Sequence, residues 1–543
     1  MPKILINERD YTNPGAPDGY SNYSVLIAGF MGESDASEKV APDSNGIYEF
    51  SSVQDFINTI GLVAPKAASQ EFYHYGNQMA YELLNLGYSI LYLPVTPENC
   101  VSVLTNEATW EIFKDKANYD FRFITHGLLE SADVSLLEAE KARLTAALEE
   151  LDKYGVITYN PEALSVLIGD REQPIEQLTN TEFEYALMAG ENYEVLLEAL
   201  REEGRTVGGL LDPATNEYYA TALTAVQGIL GQLRPVLVTL NASVTSSVIN
   251  TVNTHIANLA KYTADTEDKI PGRGDCVALI ELDEVSYKNT GSNPEVAIIK
   301  AINEMSNITP ENGKFCAMTV PSVVYDMVDN TVFGNNKKFP GAFHYLACFM
   351  NSLQSGFAEW YAAAGYTRGV SSYRIKHTTV TLGEIAINAL EPRNTDNSEG
   401  SPKFACNVIA NFRGSYYLWG NRTAHPLGDA NGTEGDLIAS HFLNIRQLCT
   451  TIKKQLYVAC RRFTFDPNSD TLWFNFVNAI KPTLEVMKAD QGIRDYKIVK
   501  VYTDKKATLK AKIRIIPIEA VEDFDLEVSL EDSFGETAAV VTE

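Results

Sequence analysis

The spacing of hydrophobic positions divides the chain into α/β segments separated by a helical one. Continuous apolar runs at 24–30 and 88–95 enclose two amphipathic patterns, one beginning with a serine cap near residue 51 and one at 71–86. Apolar runs of this length are typical of buried strands. The order strand, helix, helix, strand is typical of a small α/β domain. We therefore assign 23–98 to such a domain.

A mainly helical texture follows. Amphipathic helices are predicted at 134–154, 181–203, 217–233 and 243–262. Because α/β patterns flank this stretch on both sides, we interpret 99–268 as an inserted outer helical domain.

Buried strands return at 276–282 and 314–320, with a predicted helix at 293–306 between them. The β-α-β order indicates parallel pairing of the two strands. It assigns 269–390 to an α/β middle domain, and a polar loop then leads into a C-terminal domain at 391–518.

A long amphipathic helix is predicted at 440–463, with Ser440 as its cap. Its cations share one arc away from the apolar stripe, and no Asp or Glu occurs between Asp436 and Asp466. These cations are Arg446, Lys453, Lys454 and Arg461. Two interpretations stay open: a solvated face, or a surface that lies against an acidic partner.

A second helix is predicted at 470–488 and three strands at 495–502, 508–517 and 523–530. Hydrophobic and charged residues alternate strictly in the last two strands. The strand at 508–517 is apolar on one face and basic on the other, whereas the strand at 523–530 is apolar and acidic.

The N-terminal arm at 1–22 begins with a predicted strand that has no local partner. An acidic arm at 519–543 contains the strand at 523–530, which would pair well with the basic strand before it. Their inter-subunit strand candidates are Lys3, Ile4, Leu5 and Ile6 in the first arm and Phe524, Leu526, Val528 and Leu530 in the second. Such strands could pair within the chain or add to the sheet of a neighbouring subunit. Physical reasoning from the residues leaves both open.

Composition narrows the possible partners. The formal net charge of −27 at pH 7 disfavours nucleic acid and anionic membrane surfaces, since both would repel the chain. No apolar run of about 18 residues occurs, so we expect no membrane insertion. The start of the chain does not read as a signal peptide. The seven scattered cysteines fit reduced thiols in a cytosolically folded protein.

The sequence offers no positive sign of catalysis. It has no nucleophile elbow, zinc-protease motif, phosphate-binding loop or zinc-spaced cysteine/histidine cluster. His425, Asp429, Asp436 and His441 are metal-capable but irregularly spaced, and we interpret them as a solvated loop. No catalytic residue, cofactor or metal is predicted.

Motifs between 419 and 473 resemble those of the tail sheath proteins of contractile-tailed phages and related injection machines. Residues 419–423 are similar to the family's W-G-x-R-T, and 444–448 to its I-x-x-R-R-L, with Gln447 in place of the second arginine. Residues 463–473 are similar to its F-x-F-E-P-N…L-W. The motif residues are Trp419, Gly420, Arg422, Thr423 and Trp473. A less specific resemblance covers 20–95 and 270–535.

The resemblance implies a structural subunit, not an enzyme, in an α/β and α+β multidomain fold. That fold has a mixed-sheet sheath core domain with extended N- and C-terminal strand arms, plus the inserted outer helical domain. Subunits of this family stack as six-fold rings or a helix around a rigid tube and exchange arm strands. Contraction then drives the tube through a cell envelope, and in a phage this delivers the genome.

The implied partners are further copies of the chain, a tail tube protein, and baseplate and tail terminator proteins. The implied location is the tail sheath of a virion, assembled in the bacterial cytoplasm. Arg446, Lys453, Lys454 and Arg461 would meet the tube, and the arm strands would meet neighbouring subunits.

Two alternatives remain. One is the sheath of a phage-derived contractile injection system or a tail-like bacteriocin. The other, from a different class, is a cytosolic α/β hydrolase built on the β-α-β region.

Overall fold

The computed structural model describes residues 23–32, 34, 36–66, 72–152, 158–160, 165–168, 171–174, 217–261, 272–288, 293–327, 333, 337–391, 401–426, 438–502, 509–518 and 520. The arm candidates at 3–6 and 524–530 and the predicted helix at 181–203 lie outside the described residues.

The described strands are, in chain order, β1 (Ser24–Phe30), β2 (Tyr48–Phe50), β3 (Tyr73–His74), β4 (Ser89–Val95), β5 (Phe123–Thr125), β6 (Leu128–Glu130), β7 (Thr158–Asn160), β8 (Ser165–Ile168), β9 (Arg171–Pro174), β10 (Val277–Ile280), β11 (Cys316–Val320), β12 (Val323–Tyr325), β13 (Lys338–Phe339), β14 (Ile375–Thr378), β15 (Asn407–Phe412), β16 (Ser415–Trp419), β17 (Ile493–Val501) and β18 (Lys510–Pro517).

The described α-helices are α1 (Val53–Thr59), α2 (Gly76–Asn85), α3 (Cys100–Leu104), α4 (Glu107–Glu111), α5 (Ser135–Asp152), α6 (Glu217–Ala242), α7 (Ser246–Ala260), α8 (Val285–Lys288), α9 (Pro294–Glu304), α10 (Pro310–Gly313), α11 (Gly341–Gln354), α12 (Gly365–Arg368), α13 (Glu384–Ala389), α14 (Leu443–Arg462) and α15 (Asp470–Ala489). Short 3₁₀ turns occur at Ile112–Lys114 and Ala439–His441.

A mixed eight-stranded sheet forms the centre of the molecule, in the order β16–β15–β11–β10–β5–β1–β4–β2. The strands from β15 to β4 are parallel to their neighbours. An antiparallel strand closes each edge, β16 at one side and β2 at the other. The predicted parallel pairing of the strands around α9 is confirmed, because β10 and β11 are adjacent.

Both faces of this sheet are covered, which explains the continuous apolar runs. All of β1 is buried. Val25 and Ile27 belong to the core that contains α1, α2 and α11, whereas Leu26 and Ala28 belong to the core that contains α3, α4, α7 and α9. Alternate residues of a strand point to opposite faces, so a doubly covered parallel strand is apolar throughout.

The sheet is continuous across the segments that the sequence analysis separates. Strand β5 lies within 99–268, yet it pairs with β1 on one side and β10 on the other. The predicted boundaries therefore do not coincide with breaks in the sheet, and the six-segment division stays a prediction.

The stretch at 99–268 is not purely helical. Helices α5 and α6 pack against each other, but an antiparallel sheet of β7, β8 and β9 follows α5. Helix α7 packs its buried Ile249, Val252 and Ile256 on the central sheet. The outer helical domain is thus a mixed segment in the residues that are described.

Close packing around α11 generates the first prediction. A Cβ atom added at Gly341 would lie 1.9 Å from the Thr319 carbonyl oxygen, a distance that only a backbone shift can relieve. Gly341→Ala should therefore lower the free energy of unfolding by about 2 kcal/mol or more, measured by denaturant titration.

Gly228→Ala is the matched control. It makes the same chemical change within α6, where an added Cβ has no neighbour within 4 Å. Alanine is the better helix former by about 1 kcal/mol, so this variant should be equally or more stable. Equal stability of the two variants would contradict the packing described for α11.

Candidate assembly surface

The C-terminal module consists of helices α14 and α15 and the two-stranded ribbon of β17 and β18. The apolar stripe predicted for α14 packs on α15 through Leu448 and Ile452, which contact Phe476, Ile480 and Leu484. Strand β17 in turn packs on α15. The module therefore has its own small core, which also includes Trp360.

The start of α14 is held by the segment after β16. The Asn421 carbonyl oxygen accepts from the Leu443 N–H at 2.9 Å, and Asn421 Oδ1 accepts from the Asn444 N–H at 3.0 Å. These contacts satisfy donors that a helix N-terminus otherwise leaves unpaired. The prediction that Ser440 caps the helix is wrong, because the 3₁₀ turn intervenes and Phe442 directly precedes the helix.

The motif residues between 420 and 423 contact β15 and the segment that starts α14. Arg422 is 4% exposed, and its guanidinium carbon lies 4.8 Å from the centre of the Phe442 ring. Its Nε lies 3.5 Å from a Glu391 carboxylate oxygen. The Thr423 hydroxyl donates to the Ser440 carbonyl at 2.8 Å.

Gly420 has a φ of +145°, and an added Cβ would lie 2.9 Å from Asn407. The motif thus joins β15 and β16 to α14. Trp473, the motif residue of α15, packs beside Phe476.

A buried arginine fastens α14 to the central sheet. Arg122 directly precedes β5 and donates from Nε to Gln447 Oε1 at 2.8 Å and from an Nη to Thr451 Oγ1 at 2.9 Å. Its guanidinium carbon lies 5.6 Å from the centre of the Phe349 ring. Its Nη1 lies 3.8 Å from Glu359 Oε1. Helix α14 is thereby attached at the amino-terminal edge of the parallel strands.

Two of the predicted tube-contact cations lie in the interior. Arg446 is 9% exposed and its guanidinium carbon lies 4.4 Å from the Phe315 ring centre. Lys454 is 5% exposed and forms an ion pair with Asp120. The prediction that they share a face away from the packed side of α14 is wrong. This helix packs on α15 with one side and on the sheet edge with another.

The other two cations differ from each other. Lys453 is partly buried, and its Nζ donates to the Gly274 carbonyl at 2.7 Å. Burial and the nearby Arg446 guanidinium lower the pKa of Lys453 to about 8. Arg461 is exposed in the last turn of α14, beside the exposed Arg462. The basic surface therefore lies at the end of the helix rather than along it.

Two exposed aromatic side chains lie in the turn between α14 and α15 and in the first turns of α15. Phe465 is 82% exposed and has a φ of +76°, and Phe474 on α15 is 64% exposed. A bulky residue at positive φ is uncommon and costs about 1 kcal/mol or more. Phe465 is the second aromatic residue of the motif at 463–473, and its apolar character gave no indication that it would be exposed.

The ribbon has one apolar and one charged face. Tyr496, Ile498, Ile513 and Ile515 are partly buried and belong to the core of the module. The opposite face carries Lys510, Lys512 and Arg514, all exposed, and the partly buried Val499. The alternation predicted for 508–517 is confirmed.

Both outer edges of the ribbon are unpaired within the described residues. The sheet contains β17 and β18, and each is hydrogen-bonded along one side to the other. A two-stranded sheet is marginal by itself and presents free N–H and C=O groups to an incoming strand. The ribbon is therefore the candidate assembly surface.

The carboxyl edge of the parallel strands, where α/β folds often bind ligands, is filled by internal ion pairs. Lys338 bridges Glu130 and Glu284, and Lys288 lies 2.6 Å from Glu130. Glu281 accepts from the Ala342 N–H at 2.9 Å, and burial raises the pKa of its carboxyl group. The two lysines compensate the charges of Glu130 and Glu284, and these contacts together join β6, β10, β13 and α11.

A thiol and an imidazole meet in the same region, which bears on the hydrolase hypothesis. Cys348 Sγ lies 3.4 Å from His344 Nε2, and both residues are buried. Burial raises the pKa of the Cys348 thiol and lowers that of His344 to about 3. Both groups are neutral at pH 7, and a neutral buried thiol is a poor nucleophile.

His425 and His441 form a hydrogen-bonded pair, with Nδ1 and Nε2 2.8 Å apart. His441 is buried, so its interpretation as part of a solvated loop is wrong; Asp429 and Asp436 lie outside the described residues. Among the residues with described positions, no three His, Cys, Asp or Glu side chains converge as metal ligands.

No single helix in the described part of the chain has the length and hydropathy to cross a membrane. The bent pair of helical segments Gly228–Ala242 and Ser246–Ala260 reaches that length and hydropathy only when the two are taken together.

The depressed pKa of Lys453 generates a prediction about pH. The unfolded chain has the ordinary lysine pKa near 10.5, so between about pH 8 and 10.5 it binds more protons than the folded chain. Stability contributed by this residue therefore rises with pH in that window. From pH 7.5 to 9.5, the unfolding free energy of the parent chain should rise by about 1–2 kcal/mol relative to Lys453→Met.

Chemical denaturation at several pH values measures this difference. Lys481→Met removes an exposed lysine of α15 and should show no such change relative to the parent chain. A parallel pH dependence of the parent and Lys453→Met proteins would show that Lys453 stays protonated in the folded state.

Comparison with known proteins gives structural similarities only. No protein-family model matches the sequence, and no curated protein matches it. A chain of the six-fold symmetrised anti-feeding prophage (AFP) baseplate aligns over 98% of this chain and 99% of its own, with a TM-score of 0.49 and 10% identity. The sheath complex of PVC, an extracellular contractile injection system, in the contracted state aligns over 98% of this chain and 98% of its own. The TM-score is 0.45 and the sequence identity is 11%.

The contracted helical sheath of AFP aligns over 98% of this chain and 99% of its own, with a TM-score of 0.46 and 10% identity. Over nearly its whole length the chain is similar to components of contractile injection systems, and its motifs resemble those of contractile sheath proteins.

Proposed function

We propose that the chain is the structural subunit of a contractile sheath, which polymerises by exchanging strands with neighbouring copies. The observation that carries this proposal is the ribbon of β17 and β18, whose two outer edges have no strand partner among the described residues and whose apolar face packs on α15. The chain also carries two strand-like segments, a short apolar one at 3–6 and one at 523–530 in which polar and apolar residues alternate.

A subunit with two receiving edges and two donated strands builds an open polymer. Each contact is heterologous, because the donated strand and the receiving edge are different surfaces, and such contacts produce rings or helices. We propose six-fold rings stacked around a tail tube, with baseplate and tail terminator proteins at the ends. The six-segment domain division and the outer position of 99–268 belong to this proposal.

Contraction requires two packings of the subunits that differ by a few kcal/mol each. Strands linked through flexible connections would keep neighbours joined while the subunits rotate. The proposed result is that the tube is driven through a host cell envelope for phage genome delivery. A phage-derived injection system or tail-like bacteriocin would use the same step, and genes for a capsid beside this one would distinguish the phage tail.

The exposed end of α14 is the proposed contact with the tube. Arg461 and Arg462 present two charges there, and the aromatic Phe465 follows. Arg446 near the start of α14 and Lys454 near its middle fix the helix to the core. An acidic tube surface would suit this arrangement, mainly through orientation and association rate.

Deletion of residues 1–12 tests the polymer. It removes the strand candidate at 3–6 and should leave folded subunits that do not polymerise, because one edge of each ribbon stays empty. Negative-stain electron microscopy and light scattering measure assembly, and circular dichroism verifies the fold.

A matched variant replaces Lys3, Ile4, Leu5 and Ile6 by Gly-Ser repeats within the full-length chain. It should lose polymerisation to the same extent, since it keeps the length but not the strand pattern. Sheaths of normal length from either variant would contradict strand exchange through this segment. A discrete monomer or dimer from the parent chain would contradict the sheath function itself.

Charge reversal at the end of α14 tests the tube contact. Arg461→Glu with Arg462→Glu should reduce co-sedimentation of polymer with the tail tube protein, with little effect on the fold. The binding that remains should be less sensitive to salt, because the attraction that salt screens has been removed. Arg374→Glu with Lys376→Glu is the control, since both residues are exposed on or beside β14. Equal tube binding by the two double variants would leave the exposed end of α14 without a role in docking.

A further inference from the structure

Three cations surround the ring of one buried phenylalanine. Phe315 directly precedes β11 and is 3% exposed. The Arg446 guanidinium carbon lies 4.4 Å from the centre of this ring, the Lys453 Nζ lies 5.2 Å from it and the Lys314 Nζ 5.7 Å. Arg446 and Lys453 are seven residues apart on α14, so they project from the same face of the helix. We call these three cations the Phe315 cluster.

One member of the Phe315 cluster is buried without a polar partner. Arg446 is 9% exposed, and its Nε has no hydrogen-bond partner within the described part of the chain. The attraction between a cation and one aromatic ring is much smaller than the cost of removing a charge from water. The Phe315 ring therefore does not compensate the buried guanidinium, and still less the three cations together.

The carboxylates described beside the cluster are paired with cations outside it. These ion pairs are Asp275–Arg273, Asp120–Lys454 and Glu311–Lys261. Burial and, after it, the Arg446 charge lower the pKa of Lys453 to about 8, the direction expected where positive charge is not compensated. In a chain with a formal net charge of −27, the Phe315 cluster is thus a local surplus of positive charge.

We propose that the Phe315 cluster binds a small oxyanion of the phosphate class. A guanidinium and ammonium groups are the side chains that proteins use for phosphate, the first through paired N–H donors and the second as point charges. Phosphate has several strong acceptor oxygens around one centre, so it can contact Arg446, Lys453 and Lys314 at the same time. A carboxylate has only two oxygens and would leave part of the cluster without a partner.

A bound oxyanion would join α14 to the central sheet at a second point. Arg446 and Lys453 belong to α14, whereas Lys314 lies between α10 and β11. The attachment by Arg122 is internal to the chain, but this one would depend on the ligand and would stabilise the folded subunit by mass action. The site lies apart from the ribbon and from the exposed end of α14, so the inference does not rest on the proposed function.

Inorganic phosphate tests the site in the full-length chain. Isothermal titration calorimetry at pH 7.5, with the ionic strength held constant by sodium chloride, should give saturable binding of one phosphate per chain with a Kd of about 1 mM or lower. Arg446→Gln and Lys453→Met should each weaken this binding about tenfold or more, because each removes a charged contact to the anion. Circular dichroism verifies that both variants are folded.

Lys481→Met is the matched control. It makes the same chemical change as Lys453→Met at an exposed position of α15, and it should bind phosphate like the parent chain. Sodium acetate at the same ionic strength should compete with phosphate only weakly, since it lacks the additional oxygens.

Alkylation of Cys449 locates the bound anion. Cys449 lies between Arg446 and Lys453 at three- and four-residue spacing and is partly buried. With Cys460→Ser, the five remaining cysteines are buried, so Cys449 is the accessible thiol. Saturating phosphate should slow its reaction with iodoacetamide about threefold or more relative to sodium chloride, because the anion covers the thiol and disfavours its thiolate.

Three results would overturn the inference. The first is the absence of saturable phosphate binding by the folded parent chain, and the second is equal binding by the parent and both cluster variants. The third is saturable binding that leaves the alkylation of Cys449 unchanged, since the anion would then lie elsewhere. Competition by acetate as strong as that by phosphate itself would overturn the phosphate class. Phosphate binding is measured on subunits, so these results are independent of whether the chain polymerises into a sheath.

Discussion

The buried Arg122 guanidinium is the contact on which the position of the C-terminal module depends. It links the residue before a central strand to Gln447 and Thr451 on α14, more than 300 residues further along the chain. Removing one partner of a buried charge network costs about 3–5 kcal/mol. With Lys454–Asp120 and the stack of Arg446 on Phe315, this contact makes α14 a fixed extension of the sheet. The ribbon and the exposed end of the helix pair are thereby presented at a defined angle to the body.

The local elements could be predicted from the sequence because their signals are local. The apolar runs at β1 and β4 and the strict alternation in β18 each specify a strand and its buried face. The helices α14 and α15 follow from their three- and four-residue spacing. The strand alternation also specifies the charged face of the ribbon.

What could not be predicted depends on distant contacts. The three residues of β5 carry too short a pattern to indicate a central strand, and their partners β1 and β10 lie far away in sequence. The prediction that the cations of α14 share one face away from its packed side is wrong for the same reason. A helical projection shows which residues share an arc, but not that the sheet edge occupies the same arc with Asp120, Gly274 and Phe315. The role of Asn421 in starting α14 likewise requires a contact across a chain reversal.

The basic face of β18 has a consequence for contacts between separate copies of the chain. Two ribbons that met edge to edge through β18 would bring Lys510, Lys512 and Arg514 against their own copies, and like charges on adjacent strands repel. Charged side chains of this kind disfavour the edge-to-edge pairing that leads sheet proteins to aggregate. The same three cations that make one face of the ribbon basic therefore oppose contact between separate copies through this edge.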